Sequence, residues 1–446
     1  MSARRALALC GTAALVAGLL AGCNSADPPA PDATIIPTKL TFGAFGAPQE
    51  IAAYRRIVEQ WNLDHPAAQV TMTATSDRDE QAQRLQSGAG VPDVFMVARR
   101  DLAYLRENKL TQPVGELFDQ PDRDVDFGDD YPIDAVQAFA YDSDLQCLPY
   151  AYSPMVIYYN TDLIDFDKMQ RRGLDVPITG NAWTFEEFAA AAKFASRPAT
   201  HAAGVYVEPT LRGLAPFIYS GGGRVYDDPT TPTSLAFSDE DTKSALSTTL
   251  ELLRNPLVTL SDKQLKKHTA LEWFKLGRLG MIPGFRSLTP TLRHTKGLHF
   301  DVLAMPAIND PKTIGEVTGL CLSKSVQDPE AAADFMYYLS GAKQVADVAR
   351  AGYLVPANLE VTADDTFLQP NQQPVSAMVF TNSLRGIVLP PVIDNEAALQ
   401  TAVGADVRRL FSMGVLDLDL VTEKIDEDSL QVLAPETATA SATPTE

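Results

Sequence analysis

The chain has 446 residues, of which 45% are hydrophobic and 21% are charged, and its formal net charge is −20. This composition is typical of a globular protein, and the length leaves room for two hydrophobic cores. The acidity argues against a nucleic-acid or anionic-lipid partner, because a surface that binds either must neutralise phosphates.

The N-terminus has the pattern of a bacterial export signal. Two arginines precede an apolar stretch from Ala6 to Leu20, which is too short to span a bilayer comfortably. Cys23 follows directly after Leu-Ala-Gly, and this resembles the lipobox of bacterial lipoproteins, in which the cysteine takes a diacylglycerol. We therefore expect a signal peptide over 1–23 and a lipid-anchored protein on the extracytoplasmic face of the cell membrane. An ordinary secretion signal or membrane anchor with a fortuitous cysteine is the alternative.

The segment after the signal predicts alternating strands and helices. Residues 24–38 are rich in proline and lack periodicity, which predicts a flexible tether. Strands are predicted at 39–45, 69–75 and 93–97, and the segments between them have helical periodicity. In the first of these segments Ile51, Tyr54, Val58 and Trp61 fall on one helical face, and Asp64-His65-Pro66 is predicted to end the helix. Because the last of these strands is apolar throughout after Asp93, the pattern predicts a parallel sheet covered on both faces.

The same alternation returns in the second half of the chain. Thr184 and Glu187 form the sequence pattern of a capping box, which predicts a helix from there to residue 195. Further elements are predicted as strands at 204–207, 280–283 and 300–305 and as a helix at 329–340. Two α/β units are favoured over one large sheet at this length. The low complexity of 434–446 predicts a disordered tail.

The four cysteines fall into two groups. Cys10 leaves with the signal segment and Cys23 is predicted to carry the lipid, so Cys147 and Cys321 remain in the folded body. An even remainder in an oxidising compartment permits one disulfide. Two buried free thiols, which behave as small hydrophobic groups, are the alternative.

The order of these features resembles the family 1 extracellular solute-binding proteins, which are the carbohydrate receptors of bacterial ABC importers. The resemblance covers most of residues 39–430 behind the lipobox. It rests on KLTFGAFG, GVPDVFMV, LPYAYSPMVIYYNTDLI, NAWTFEEFAAAAK, YSGGGRVYDD, FKLGRLGMIPGF, and TGLCLSKSVQDPEAAADFMYYLSG followed by GYLVPAN. It implies a two-domain α/β fold of the periplasmic-binding-protein type, with a hinged cleft that closes on a sugar.

The resemblance also implies strands that cross between the domains. The predicted division is 39–151 with 318–373 for the first domain and 152–317 with 374–433 for the second. Cys147 and Cys321 would lie on neighbouring crossing strands, so the resemblance implies a disulfide between them.

Five candidate binding residues belong to the first domain or to the crossing segment. By the resemblance, Asp79, Arg99 and Arg100 face the cleft. Arg99 and Arg100 follow a predicted buried strand, at the carboxyl edge of the sheet where ligands bind. A solvated surface run is the alternative. Tyr152 and Ser153 lie between the Leu-Pro and Tyr-Asn segments, where the family points a residue into the cleft.

Five more candidates follow along the chain. Glu208 matches a Glu-Pro pair that faces the sugar, unless it is only a loop carboxylate before a helix. Phe285 follows a buried strand where the family places a stacking aromatic residue, with a core phenylalanine as the alternative. Arg286 would pair with an anionic ligand or with Glu208. Gly222 would allow close backbone approach, unless it serves only a left-handed turn, and Gly319 would line the cleft floor.

The function implied by the resemblance is that of a monomeric substrate-binding lipoprotein that delivers a carbohydrate to the permease subunits of an ABC importer. Aromatic faces and planar polar groups suit the C–H face and the hydroxyl rim of a pyranose. Two positions that are aromatic in maltose-type receptors are aliphatic here, near Val97 and Leu399. A smaller or decorated sugar, or a sugar-phosphate-like ligand, therefore fits as well as a long maltodextrin.

Two other classes of function remain open. The same fold could bind a non-sugar solute such as a glycerophosphodiester, a peptide or a polyamine, or the chain could be an envelope hydrolase or a structural lipoprotein. The chain has no His-Glu-x-x-His, Gly-x-Ser-x-Gly, Walker or dinucleotide motif, so we predict no catalytic residue and no cofactor. Residues 122–128 approach a calcium loop, but the glycine is one place late and Ile133 replaces the ligating glutamate, so we predict no metal.

Overall fold

The structure of the protein is a computed structural model, and it describes residues 37–435 apart from 89, 122, 142–143, 179–181, 394 and 413. The predicted signal peptide with Cys23, nearly all of the predicted tether and most of the predicted tail lie outside the described residues. Within the described ranges, no helix is both long and apolar enough to cross a membrane.

The strands of the described residues, most of which belong to two sheets, are β1 (Thr38–Phe45), β2 (Ala68–Thr75), β3 (Val94–Ala98), β4 (Thr111–Gln112), β5 (Asp119–Gln120), β6 (Arg123–Asp124), β7 (Ala140–Tyr141), β8 (Asp144–Leu145), β9 (Cys147–Pro154), β10 (Val156–Asn160), β11 (Ala203–Val205), β12 (Leu279–Gly284), β13 (Phe300–Leu303), β14 (Thr313–Ser323) and β15 (Ile387–Val388).

The helices that cover these sheets are α1 (Pro48–Asp64), α2 (Arg78–Gln86), α3 (Leu102–Glu107), α4 (Gly115–Phe118), α5 (Ile133–Gln137), α6 (Phe166–Arg171), α7 (Phe185–Ala195), α8 (Leu211–Ser220), α9 (Glu240–Leu253), α10 (Asp262–Leu265), α11 (Ala270–Lys275), α12 (Thr289–Arg293), α13 (Pro329–Ser340), α14 (Ala342–Ala349), α15 (Leu359–Thr362), α16 (Asp365–Leu368), α17 (Met378–Ser383), α18 (Glu396–Leu410) and α19 (Leu418–Leu433). Short 3₁₀ helices span Arg99–Asp101, Pro198–Thr200, Arg286–Leu288 and Leu384–Gly386.

The first sheet has the strand order β15-β14-β3-β1-β2, and β4 and β9 also pair with β14. Strand β1 is parallel to β2 and to β3, as the alternation of strands and helices predicted. Strand β14 is antiparallel to β3, so the whole sheet is mixed rather than parallel. The reason is that β14 returns from the second domain instead of arriving through a crossover helix beside β3.

Helix α1 packs against this sheet with the face that its sequence predicted. Ile51, Tyr54, Val58 and Trp61 are all buried, at steps of three and four residues. The helix ends at Asp64, directly before the predicted His-Pro stop.

The second sheet has the strand order β11-β12-β10-β13. Helix α7, which covers it, begins with the predicted capping box: the Thr184 amide donates to Glu187 Oε2 at 2.7 Å, and the Glu187 amide donates to Thr184 Oγ1 at 3.2 Å. Phe188 of α7 and Phe217 of α8 are almost fully buried, with ring centroids 6.1 Å apart. These contacts fix α8, which carries part of the site described below.

Strands β9 and β14 connect the two sheets. They pair antiparallel from Pro154 opposite Gly315 to Cys147 opposite Cys321, and β9 leads through Met155 into β10. A disulfide joins Cys147 and Cys321, whose Cα atoms are 4.3 Å apart. This is the pairing that the resemblance implied for the crossing strands.

Two of the predicted domain boundaries fall within the strands that connect the two sheets, and the exact boundaries stay a prediction. The cuts after 151 and 317 fall inside β9 and β14, which are continuous strands of the first sheet. The prediction places residues 374–433 in the second domain, whereas β15 pairs with β14 in the first sheet. Because the chain passes between the domains within strands, composition along the sequence does not mark these crossings.

Candidate functional site

Three adjacent cavities lie where β14 meets helix α8, and together we call them the cleft. The large cleft cavity, of about 370 Å³, is lined among others by Met155, Tyr206, Glu208, Arg212, Phe285 and Glu316. The arginine cavity, of about 110 Å³, is lined among others by Arg78, Arg99, Arg100, Arg212, Tyr226, Glu316 and Glu396. The α18 cavity, of about 100 Å³, is lined among others by Arg212, Tyr219, Tyr226, Glu396 and Leu399.

A larger cavity of about 550 Å³ lies outside the cleft, against α1 and α13 of the first domain. Trp61, Tyr131 and Tyr338 contribute to its lining. Because its walls belong to one domain, closure of the two domains cannot enclose a solute there. We therefore place the candidate site in the cleft, although its cavities are smaller.

Glu316 is the central charged group of the cleft. Its Oε1 atom accepts a hydrogen bond from Arg78 Nη1 at 2.8 Å and also pairs with Arg212. Arg78 begins α2 in the first domain and Arg212 belongs to α8 in the second, so one carboxylate joins both domains across the cleft. Burial opposes ionisation, but the two guanidinium groups outweigh it and hold the pKa of Glu316 below its ordinary value.

Arg212 also lies over the aromatic ring that the sequence predicted as a sugar platform. Its guanidinium carbon is 4.5 Å from the centroid of the Phe285 ring, which is a cation–π contact. Phe285 directly follows β12, is partly buried and lines the large cleft cavity. The structure therefore places Phe285 at the cleft with Arg212 covering it.

Arg99 and Arg100, which directly follow β3, line the arginine cavity. Arg99 donates from Nε to the Ala138 carbonyl at 3.1 Å and from Nη1 to the Pro390 carbonyl at 2.5 Å. Burial lowers the pKa of its guanidinium. Arg100 pairs with Asp79, whose side chain is 65% exposed, so Asp79 neutralises Arg100 from the solvent side.

Tyr152 and Ser153 lie on β9, directly opposite Val317 and Glu316. Tyr152 is fully buried, its hydroxyl has no hydrogen-bond partner among the described residues, and burial raises its pKa well above the ordinary value. Ser153 is 7% exposed, and its Oγ accepts a hydrogen bond from the Arg286 amide at 3.4 Å. Both residues thus support the floor of the cleft beneath Glu316, and neither lines one of the three cavities.

Glu208 is exposed and lines the large cleft cavity, and within the described part of the chain nothing donates to its carboxylate. Gly222 has φ +90° in the turn after α8. Because residues with a side chain rarely adopt this backbone conformation, the turn alone accounts for a glycine at this position. Gly319 is buried, and a Cβ atom there would come within 2.7 Å of Phe139 Cζ. Local packing accounts for both glycines, and neither lines the three cleft cavities.

Arg286 does not face the cleft, contrary to the prediction. Its side chain is fully buried, and its Nη2 donates to the Phe367 carbonyl at 2.9 Å. The guanidinium carbon lies 4.8 Å from the Phe367 ring centroid and 5.0 Å from that of Phe380, and burial lowers its pKa to about 10. The 3₁₀ helix that begins at Arg286 turns this side chain away from the cavity that its neighbour Phe285 lines.

A buried carboxylate lies beneath the turn that follows β1. Glu50 accepts a hydrogen bond from the Ala47 amide at 2.9 Å, and only 9% of the residue is exposed. Burial raises the pKa of Glu50 to about 7, although the hydrogen bond from Ala47 opposes this. Glu50 therefore changes its charge near neutral pH.

Four charged residues of the cleft were not predicted from the sequence: Arg78, Arg212, Glu316 and Glu396. Glu316 is the only acidic residue of β14, and a single carboxylate in a largely buried strand requires cationic partners. Arg212 is the second residue of α8, where the helix dipole disfavours a cation. These two unfavourable placements are the features of the sequence from which the ion pair of Arg212 with Glu316 could have been predicted.

Two α/β domains that are joined by crossing strands and separated by a cleft define a hinged binding protein. A sequence profile described as bacterial extracellular solute-binding protein matches residues 57–373. The chain therefore belongs to the bacterial extracellular solute-binding protein family.

Solved structures with the same fold cover nearly the whole chain. An ABC substrate-binding protein of Listeria monocytogenes in complex with cycloalternan is 19% identical, with a TM-score of 0.72 over 89% of this chain and 98% of that chain. A cyclo/maltodextrin-binding protein complexed with maltotetraose is 17% identical, with a TM-score of 0.72 and the same coverage of 89% and 98%. The GacH receptor of Streptomyces glaucescens is 18% identical, with a TM-score of 0.69 over 90% and 99%.

A relative from Streptomyces antibioticus is 25% identical over 358 residues, which is 78% of this chain and 75% of the relative. It is described as an uncharacterized lipoprotein in the oleD 5' region. This chain is similar to that relative and to the solved structures. At identities of 17–19%, the similarity to the solved structures establishes the fold.

Proposed function

We propose that this protein is the carbohydrate receptor of a bacterial ABC importer, held by a lipid on Cys23 at the extracytoplasmic face of the cell membrane. The observation that carries the proposal is the large cleft cavity, where the ring of Phe285 lies beside Glu208 and Glu316. An aromatic face next to carboxylates matches the C–H face and the hydroxyls of a sugar. The cavity volume of about 370 Å³ falls within the usual range for small-molecule sites.

The charges of the cleft favour an uncharged ligand. Positive and negative groups are equal in number at the cleft: the cations are Arg78, Arg99, Arg100 and Arg212, and the carboxylates are Glu208, Glu316, Glu396 and Asp79, which pairs with Arg100. A sugar can exchange hydrogen bonds with these groups without requiring a net charge in the cleft. The names of the similar solved structures, which mention cycloalternan, maltotetraose and acarbose, support the same ligand class.

A thermal-shift screen tests the proposal. We define the carbohydrate panel as maltose, maltotriose, maltotetraose, acarbose, cycloalternan and tagatose. A ligand at about one hundred times its Kd stabilises the folded protein by about 2.7 kcal/mol, so at least one member of the panel should raise the melting temperature. If no member does so while glycerophosphocholine, spermidine or a short peptide does, the carbohydrate proposal is wrong.

A ligand that carries a phosphate group is the second candidate, and Arg99 is the observation that favours it. Its guanidinium bonds only to the carbonyls of Ala138 and Pro390 in the described part of the chain, so no carboxylate balances its charge there. A glycerophosphodiester could supply that anion. The same thermal-shift screen distinguishes the two ligand classes.

Anchoring and delivery are separate parts of the proposal, and the protein would act as a monomer that presents its ligand to permease subunits. Replacing Cys23 by serine removes the sulfur that would take the lipid. We expect a Cys23→Ser variant to move from the membrane fraction to the soluble extracytoplasmic fraction. The reason is that the variant cannot carry the acyl chains that would hold the protein at the membrane. An unchanged membrane fraction would contradict lipid anchoring but not carbohydrate binding.

A further inference from the structure

Arg212 separates the cavities of the cleft. It lines the large cleft cavity, the arginine cavity and the α18 cavity, whereas Phe285 lines only the first of them. Its guanidinium covers the Phe285 ring at 4.5 Å and pairs with Glu316. A sugar therefore cannot use this face of the ring while Arg212 keeps its position.

The contacts that hold Arg212 are weak ones. Its side chain is 42% exposed, compared with 31% for Arg78 and 24% for Glu316. Ion pairs with that much solvent access contribute little to stability. Arg212 also stands in the first turn of α8, two residues after the N-cap Thr210, where the helix dipole repels a cation.

The departure of Arg212 leaves no uncompensated buried charge. Oε1 of Glu316 still accepts from Arg78 Nη1 at 2.8 Å when Arg212 moves away. This matters because removing the last partner of a buried carboxylate is strongly unfavourable. Arg78 and Arg212 share one oxygen of Glu316, and Arg212 is the more exposed of the two. Arg212 is therefore the cation that a ligand can displace.

We propose that Arg212 is a specificity-determining residue of the cleft: it covers one face of the Phe285 ring, and a carbohydrate must displace it to stack on that face. This inference rests on the proposed function. Displacement also joins the large cleft cavity to the arginine and α18 cavities, each of which is too small for a ligand site by itself. A carbohydrate that reaches across all three cavities is therefore selected over a solute that offers no face to the Phe285 ring.

The test compares Arg212→Ala with the wild type by titration calorimetry against each member of the carbohydrate panel. Loss of the competing cation–π contact should raise the affinity about two- to thirtyfold. Phe285→Ala introduced into the Arg212→Ala chain should abolish this gain, because the gain depends on the uncovered ring. An affinity that equals or falls below that of the wild type in both Arg212→Ala and Arg212→Gln overturns the inference.

Arg224→Ala is the matched control, since Arg224 is an exposed arginine of the second domain that pairs with Asp239 at 2.9 Å outside the cleft. It should leave the affinity unchanged. Arg212→Gln keeps most of the side-chain length without the charge, so it should show the same direction of change even if Arg212→Ala folds poorly. A wild-type protein that binds no member of the panel overturns the proposed function together with this inference, whereas wild-type binding without a gain in either Arg212 variant overturns the inference alone.

Discussion

Replacing Glu50 by glutamine should stabilise the protein at alkaline pH but not at acid pH. The pKa of Glu50 is about 7 in the folded protein because its carboxyl group is buried, compared with an ordinary value of 4.5. A raised pKa means that the folded state binds the proton of Glu50 more tightly than the unfolded state does. The contribution of protonated Glu50 to the free energy of unfolding is therefore fully present below pH 4.5 and is lost as the pH rises through 7. The difference between the two pKa values corresponds to at most about 3 kcal/mol.

The Glu50→Gln variant keeps an acceptor for the Ala47 amide but cannot ionise. We expect its free energy of unfolding to equal that of the wild type at pH 4.5 and to exceed it by up to about 3 kcal/mol at pH 8.5. Urea denaturation followed by circular dichroism at pH 4.5, 6.5 and 8.5 measures this difference. Glu59→Gln, an exposed position on the same helix, is the matched control and should show no pH-dependent gain. A difference between Glu50→Gln and the wild type that does not grow with pH would refute the reasoning.

Three further predictions concern the cleft and the crossing strands. Phe285→Ala should lower the affinity for the carbohydrate at least about twofold in titration calorimetry, since an aromatic contact contributes about 0.5–1.5 kcal/mol beyond area burial. Replacing both Cys147 and Cys321 by alanine should lower the free energy of unfolding by about 2–5 kcal/mol in urea denaturation, because the disulfide is lost. Gly319→Ala should lower that free energy by about 1–3 kcal/mol because its Cβ would come within 2.7 Å of Phe139, and Phe139→Leu in the same chain should restore part of the loss.

These predictions have controls elsewhere in the molecule. Phe127 packs against Phe118 and Tyr131 in the first domain, so Phe127→Ala should leave the affinity for the carbohydrate unchanged. Equal affinities of Phe285→Ala and the wild type would contradict a stacking role. Reductant should destabilise the wild type but not the variant that lacks both cysteines, and equal stabilities before and after reduction would contradict the disulfide. Full stability of Gly319→Ala would show that Phe139 can move aside.

Local signals predicted much of the fold. The apolar spacing from Ile51 to Trp61 identified the buried face of α1, and the Thr184–Glu187 capping box identified the start of α7. These features succeeded because they depend on residues three or four positions apart. The antiparallel direction of β14 was not predicted, since it depends on the return of the chain from the second domain. The positions where the chain crosses between the domains were not predicted either, because they lie within β9 and β14, which pair only in the folded protein.

The site was predictable only in part. Phe285 was reached through the strand that precedes it, but Arg286 was misplaced because the side-chain direction after that strand depends on a 3₁₀ helix. The pair formed by Arg212 and Glu316 joins residues 104 positions apart, and the pair of Arg78 with Glu316 spans 238 positions. Sequence alone shows that a buried carboxylate needs a partner, but not which arginine supplies it.

The central claim is that the cleft between the two domains binds a carbohydrate on Phe285. Titration calorimetry of the wild type and of Phe285→Ala with the carbohydrate panel tests it most directly. We predict that at least one sugar binds the wild type with one-to-one stoichiometry and that the affinity falls in the variant. Binding that is identical in both proteins, or no binding of any sugar to the wild type alongside binding of glycerophosphocholine, spermidine or a peptide, would contradict the account.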